Sequence, residues 1–426
     1  MVIKKPRGTY DLFGEEIEVF NKINDVLKTI SNTYNCHEIK TPIFEHKELY
    51  IRNIGESSDI VTKEFYDFKD KSDRELALRP ENTVGVIRSV VENKLLYTNP
   101  FPLKFYYLGP MFRYERPQSG RNRQFYQFGI EFIGVKNILN EIEGILFALD
   151  ILKKLNITNW KLKVNYIGSI ETREKWINSL KKYFNKYKDE LSEDSKNRIE
   201  KNPLRILDDK VDGSKSFVKS CPKIEEFLTK EEKEESDNFI KCLKTIVNEF
   251  EFDSTLVRGL DYYSGPVFEI VSQSNKLTGQ STIIGGGRYT KLTKELGDND
   301  YICFGFALGM ERLMLAYRDE NQFLSNNSVD VYIASIGSVE SELVAMNFAN
   351  QLRNLNYRVE VNFDLKKIDK QFKNSNKYNP KIILIYGDED HKNKQVTLKN
   401  QKTLENKVIK LNELNNKIKE FFESDK

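Results

Sequence analysis

The sequence predicts an α/β protein in two parts. The first is an α+β domain interrupted by a mostly helical insertion; the second is a small α/β domain with parallel strand pairs. Three observations carry this. Between residues 104 and 134 two apolar runs flank an arginine-rich turn, the pattern of a hairpin. Between 169 and 252 strand signals fade and charge runs such as 181–188 and 230–235 dominate. From 329 onward strand and helix patterns alternate, which implies parallel pairing. These shifts set the expected boundaries: 1–168 with 253–318, the insertion 169–252, a polar linker, and 328–426.

A chain of 426 residues has room for two or three domains. Its formal charge of +3 is nearly neutral, so any polyanion site must come from local clustering. Cys36, Cys221, Cys242 and Cys303 are scattered without a CxxC pair, which argues against a zinc ribbon or a disulfide scaffold. The 3 histidines, His37, His46 and His391, are too few and too dispersed for a histidine-based triad or a histidine-rich metal site. Chemistry here must rest on Arg, Glu, Gln and Tyr. No apolar run approaches the ~20 residues of a membrane span. The opening MVIKKPRGTYDLFGEE lacks a signal-peptide core, so cytoplasm is the expected compartment.

The elements follow in order. Ile17, Phe20, Ile23, Leu27, Ile30 and Tyr34 recur at three- and four-residue steps and predict a helix over 16–34. A short extended segment, 36–42, leads into Ile43 and Phe44. Residues 76–78 read as a strand stopped by Pro80, with a helix over 84–91. Asn82 or Thr83 would cap that helix and leave Glu81 at a strand end. In the hairpin, the return strand Gln124–Ile133 places Gln127, Gly129 and Glu131 on one face and Phe128, Ile130 and Phe132 on the other. Arg113, Arg116, Arg121 and Arg123 fan around its turn and suit phosphate, since a guanidinium pairs with two oxygens at once. A basic surface hairpin is the alternative, weakened by the polar groups on the sheet face.

Past the insertion, 254–263 leads into a strand at 267–271. Ile283 and Ile284 enter an expected glycine turn at Gly285, Gly286 and Gly287, with no GxxxxGK[ST] to make it a Walker site. Residues 304–309 read as a strand joined to a helix starting near Glu311, with Arg312 at the junction. The last part reads βαβαββα, with Val339, Leu343, Met346 and Leu352 expected on the inner face of its first helix.

Four blocks carry a family resemblance. Phe112-Arg113-x-Glu115-Arg116, a loop, and Arg123-Gln124-Phe125-x-Gln127-x-Gly129-x-Glu131 resemble motif 2 of the class II aminoacyl-tRNA synthetases. LVRGLDYY (256–263), GGGRY (285–289) and GFALGMER (305–312) resemble the two histidine-recognition motifs and motif 3 of the histidyl-tRNA synthetases. The order of blocks is the family's, and the last part resembles the anticodon-binding domain of several class II enzymes. The resemblance implies an antiparallel sheet flanked by helices, a homodimer formed through the motif 1 region of Glu16–Tyr34 and Pro42, and ligation of L-histidine to tRNA(His) with ATP and Mg²⁺.

It also implies roles. Arg113 and Arg258 would be catalytic, gripping the α-phosphate and the histidine carboxylate. Glu81, Asn82, Thr83 and Gln127 would face the α-ammonium, and Glu131 and Tyr263 the imidazole, with Tyr262 and Tyr289 beside them. Glu115, Arg121, Phe125 and Arg312 would hold ATP. Arg116 and Gln118 would reach the tRNA acceptor end, and Lys366, Lys367, Lys370 and Lys373 would form a phosphate-facing stripe. On charge alone a solvated lysine face fits equally well. No metal ligand is implied. Thr290-Lys291 and Tyr114 depart from the family's frequent residues. The competing readings are a synthetase-like regulatory subunit of ATP-phosphoribosyltransferase and another class II synthetase. Retention of Arg113, Arg258 and Arg312 opposes the first; LVRGLDYY opposes the second.

Overall fold

The computed structural model describes residues 3–55, 60–207, 209, 211–277, 281–323, 328–364 and 367–424. They fall into two compact units, 1–323 and 324–426.

In the first unit the strands are β1 (His37–Glu38), β2 (Phe44–His46), β3 (Asp67–Lys69), β4 (Glu75–Leu78), β5 (Leu103–Phe112), β6 (Gln124–Ile133), β7 (Trp160–Tyr166), β8 (Glu251–Phe252), β9 (Tyr263–Ser272), β10 (Thr282–Tyr289) and β11 (Cys303–Gly309). Eight of them form one sheet in the order β1-β5-β6-β11-β10-β9-β7-β8. Its six inner strands pair antiparallel with one another, and only the edge strands β1 and β8 pair parallel, with β5 and β7. The helices are α1 (Glu15–Thr33), α2 (Lys47–Ile54), α3 (Thr83–Glu92), α4 (Ile138–Lys154), α5 (Ile170–Lys186), α6 (Glu193–Lys201), α7 (Leu204–Leu207), α8 (Ser216–Lys219), α9 (Lys230–Ile246), α10 (Leu292–Glu295) and α11 (Met310–Glu320).

Alternation decides what each sheet face does. Phe128, Ile130, Phe132, Phe268, Ile270, Phe304 and Phe306 point one way and pack against α1, α4, α9 and α11 in the main core. Each such side chain, fully buried, contributes about 1.5–3 kcal/mol. Helix α4 has no counterpart among the expectations above. Its buried residues, from Ile142 and Ile145 to Phe147, Ala148 and Ile151, wrap much of the helix, so no single stripe marks it. The opposite face carries Tyr107, Ile133, Val267 and Tyr289 against α2 and α3 in a second core, and beside that core it opens.

The region 169–252 is helical, with its own core around Trp176, Leu180, Phe184, Ile199 and Ile206. Helix α9 leaves that core: Phe239 and Leu243 belong to the main one.

Three local expectations are corrected. Gly285, Gly286 and Gly287 lie inside β10 rather than in a turn. A Cβ on Gly286 would stand 2.2 Å from the Gly305 carbonyl oxygen, so glycine there permits close backbone approach within the sheet. The strand expected at 267–271 begins earlier, at Tyr263, and runs to Ser272, while residues 254–262 before it are irregular. Asn82 does not cap α3 with its side chain. Glu81 takes that role: its carboxylate accepts the amides of Thr83 at 2.7 Å and Val84 at 3.1 Å.

The second unit holds β12 (Val331–Ile336), α12 (Val339–Asn354), β13 (Val359–Val361), α13 (Ile368–Ser375), β14 (Ile382–Gly387), α14 (Asp388–Asn393), β15 (Gln395–Asn400), β16 (Asn406–Lys410) and α15 (Leu414–Ser424). The sheet order is β13-β12-β14-β15-β16, parallel over the first three strands and antiparallel beyond. Strand β16 and helix α14 are additions to the expected order. The inner face of α12 is also corrected. Ser341, Ala345, Phe348, Ala349 and Leu352 are buried, while Val339, Leu343 and Met346 are exposed. The small residues let the helix lie close on the strands, and the larger aliphatic ones are turned outward.

Candidate active site

The open part of the sheet's second face forms a cavity of about 650 Å³. The pleat makes the room. Glu131 pairs with Gly305, and Gly305 with Gly287; Gly129 pairs with Ala307, and Ala307 with Gly285. Residues two apart share a face, so two rows of small residues cross the centre of the sheet where bulky ones would fill the site.

Long polar side chains enter over this floor. Arg113 leaves the end of β5, donates from Nε to the Pro80 carbonyl at 2.8 Å, and lies over the Phe125 ring at 5.3 Å. Arg258 comes from the irregular segment before β9. It donates to Glu269, and Thr282 also donates to that carboxylate at 2.9 Å. The Arg258 guanidinium rests on Gly285, where a Cβ would stand 2.4 Å from Nη1, and its buried Nε has no hydrogen-bond partner. Such a donor is expensive to bury and suits a ligand oxygen. Arg312 donates to the carbonyls of Gly120 at 3.1 Å and Thr282 at 2.8 Å. Burial, with Arg121 and Arg113 nearby, pulls its pKa down to about 10. It therefore stays charged at neutral pH.

Of the residues named from the sequence, Glu81, Thr83, Arg113, Glu115, Arg121, Phe125, Gln127, Arg258, Tyr262, Tyr263 and Arg312 line this one cavity. Glu115 and Arg121 form an ion pair with each other. Glu131 lies just beneath the floor. It accepts from Thr83 Oγ1 at 2.8 Å and from Tyr289 Oη at 2.7 Å, and burial raises its carboxyl pKa to about 8. Tyr289 thus reaches the site through Glu131. Tyr262 packs between Tyr263 and Tyr289, with ring centroids 4.8 and 5.5 Å away. Asn82 is turned away: its Oδ1 accepts from Thr41 Oγ1 at 2.6 Å. Arg116 and Gln118 stand exposed on the hairpin loop. In the second unit Lys367, Lys370 and Lys373 are exposed on or beside α13, and Lys366 lies outside the described residues.

Among the groups missed in the sequence, four stand out. Arg198, Arg205 and Asp209, from the helical insertion, line the cavity, and Arg198 pairs with Asp209 at 2.7 Å. Arg205 lies against Gly259, where a Cβ would stand 2.6 Å from its Nη2. Nothing separates these residues from a solvated charge run in a single sequence. The fourth is Tyr10, which donates to Glu311 of α11. Glu311 also accepts the Tyr126 amide at 2.8 Å.

Comparison with known proteins agrees with this geometry. A family described as histidyl-tRNA synthetase matches residues 8–313, and one described as an anticodon binding domain matches 330–421. A histidine–tRNA ligase of Ureaplasma urealyticum is 49% identical over 417 residues, 98% of this chain and 99% of that protein. One from Lactobacillus delbrueckii is 38% identical over 94% of each. The apo histidyl-tRNA synthetase of S. aureus superposes with a TM-score of 0.80 at 32% identity, covering 97% of this chain and 98% of that one. These matches extend over nearly the whole chain, and the chain belongs to the histidyl-tRNA synthetase family.

Proposed function

We propose that the cavity binds ATP and L-histidine together, joins them as histidyl-adenylate with release of pyrophosphate, and then passes histidine to the 3′ end of tRNA(His) with release of AMP. The observation that carries this is the meeting of Arg113, Arg258 and Arg312 over a floor that holds Glu81, Gln127 and Tyr263. Both reactants are anionic. A carboxylate oxygen of histidine bonds to the α-phosphorus, and the bond to the pyrophosphate oxygen breaks. Negative charge accumulates on the phosphoryl oxygens and the leaving group, where fixed guanidinium groups act most strongly. Arg113 and Arg258 hold the α-phosphate and carboxylate. Arg312 and Phe125 hold the nucleotide. No side chain is needed as a general base, so the rate comes from positioning and electrostatics.

Glu81, Thr83 and Gln127 accept from the α-ammonium. Glu131 and Tyr263 select imidazole, because a site with buried polar groups rejects analogues that leave them unpaired. No group of three His, Cys, Asp or Glu side chains among the described residues forms a metal cage. Mg²⁺ ordinarily binds through one or two carboxylates plus substrate phosphates; Glu269 and Glu311, which line the cavity and act on the charge of Arg312, would hold such an ion. When bound, it would neutralise phosphate charge.

Arg116 and Gln118 approach the acceptor end, and Lys367, Lys370 and Lys373 face RNA phosphates. A homodimer forms through the region that includes α1 and β2. Support comes from Ile43, Phe44 and Phe68, which are exposed, with the last two rings 6.4 Å apart. The protein works in the cytoplasm. None of its described helices is long and apolar enough to cross a membrane.

The test is pyrophosphate exchange with each of the twenty amino acids. Histidine alone should support it, and exchange with a different amino acid would overturn the reading. Truncation near Ser328 should spare exchange and impair tRNA charging. A folded truncation that charges normally would remove the RNA role of the second unit.

A further inference from the structure

We infer that Arg173, on the first helix of the insertion, is a positioning residue for histidine binding: it holds the backbone that carries Tyr262 and Tyr263. This rests on the activity proposed above. Arg173 is 9% exposed and lies near the start of α5. Its Nη1 donates to the Tyr263 carbonyl at 2.6 Å, and its Nη2 donates to the Asp261 carbonyl. One guanidinium thus bridges two carbonyls two residues apart, in the turn that leads into β9. The planar guanidinium fork matches that spacing, and a lysine ammonium does not. Tyr262, held between the two clamped carbonyls, packs on Tyr263 and Tyr289.

The clamp has a rigid base. Ser169 caps α5, and its amide donates to Glu232 of α9 at 2.7 Å. Thr172 Oγ1 donates to the same carboxylate at 2.8 Å. The chain just before α5 pairs with the start of β9, through Ile167 N to Gly265 O at 2.8 Å and Gly265 N to Gly168 O at 2.7 Å. On the other side the Asp261 amide donates to the Ile54 carbonyl at the end of α2 at 3.2 Å. The segment entering β9 is thus held between α2 and α5, and Arg173 supplies its charged contacts. A buried arginine serving only the local fold would be spent on the insertion's own core. This one reaches out of the insertion to the carbonyls on either side of the Tyr262–Tyr263 peptide unit, and both tyrosines line the cavity.

The experiment measures KM for histidine, KM for ATP and kcat in pyrophosphate exchange, with melting temperatures, for the wild-type chain, Arg173→Lys and Arg173→Ala. Arg173→Ala should raise the histidine KM roughly tenfold, the scale of one lost charge-assisted hydrogen bond, and move the ATP KM less than threefold. Arg173→Lys should recover part of the histidine KM. If the alanine variant does not fold, Arg173→Gln replaces it under the same criteria. A folded variant with histidine KM within twofold of wild type overturns the inference. So does an equal rise of both KM values in the alanine and lysine variants alike, which marks general loosening. Exchange absent from the wild-type chain would overturn the activity and this inference together; exchange present and unchanged in the variants overturns this inference alone.

Discussion

The two faces of the central sheet come from the same strands and do opposite work. On the helix side, β6, β9 and β11 present Phe128, Ile130, Phe268, Phe304 and Phe306, all buried and in mutual ring or core contact. On the cavity side the alternate positions of β6, β10 and β11 are Gly129, Gly285, Gly305 and Ala307. One face gains stability by filling space along its length, and part of the other stays open as the cavity. Arginines reach that empty face from elsewhere, so the strands supply shape and their flanks supply charge.

The comparison breaks if the faces are not separable. The largest effect should come from Phe306→Ala, which leaves a void among Phe128, Phe147 and Phe268. We expect about 3–5 kcal/mol of lost stability in denaturant unfolding, with near-normal KM values in protein that remains folded. A stability loss below about 1 kcal/mol would deny the helix face its role.

Next is Arg258→Ala. Removing this charge should slow adenylate formation by at least a hundredfold, about 3 kcal/mol of transition-state stabilisation, while the melting temperature changes little. Near-normal pyrophosphate exchange would remove Arg258 from the chemistry.

Gly285→Ala sharpens the contrast. Its Cβ would stand 2.4–2.7 Å from the Arg258 guanidinium, the mobile end of a side chain. Arg258 must then shift by about 1 Å, enough for a ten- to hundredfold loss of exchange with little loss of stability. Equal losses of fold and activity would show that Gly285 serves the sheet rather than the site.

The smallest effect should come from Glu131→Gln, which should raise KM for histidine up to about tenfold and more than KM for ATP. Glu131 also makes a pH prediction. Burial raises its folded-state pKa to about 8, above the value near 4.3 of an unfolded carboxyl. The folded chain therefore binds the extra proton, and the stability tied to it is full below about pH 4 and is lost as pH rises through about 8. Melting temperatures of wild type relative to Glu131→Gln should fall across that window. A flat difference would place the carboxyl elsewhere.

The sequence made much of this visible, for a definite reason. β6 was legible to the residue because polar or glycine positions alternate with phenylalanine and isoleucine at the period of two that a strand requires. α1 was legible because one face meets the core at helical spacing. The strand–glycine–helix junction at Gly309 and Met310 followed from the same local signals. Other elements were hidden by their surroundings. α4 is apolar around much of its circumference, and α12 buries alanine and serine while exposing larger residues, so neither shows the stripe that marks a surface helix.

What the sequence by itself determined is the chemistry available: arginines for phosphate, few histidines, a hairpin with a polar face, and motif order along the chain. Those depend on residue type and short spacing, which a linear chain records. Only the tertiary structure decided which groups meet. It turned Asn82 toward Thr41 and gave Glu81 the helix cap. It sank Glu131 beneath Thr83 and Tyr289, and laid the glycine run flat in a strand beside Arg258. It brought Arg173 and Arg205 from a charged helical insertion to the segment before β9. Apart from the Glu81 cap, such meetings join residues tens to hundreds of positions apart through packing, and packing leaves no local spacing in the chain that would announce them.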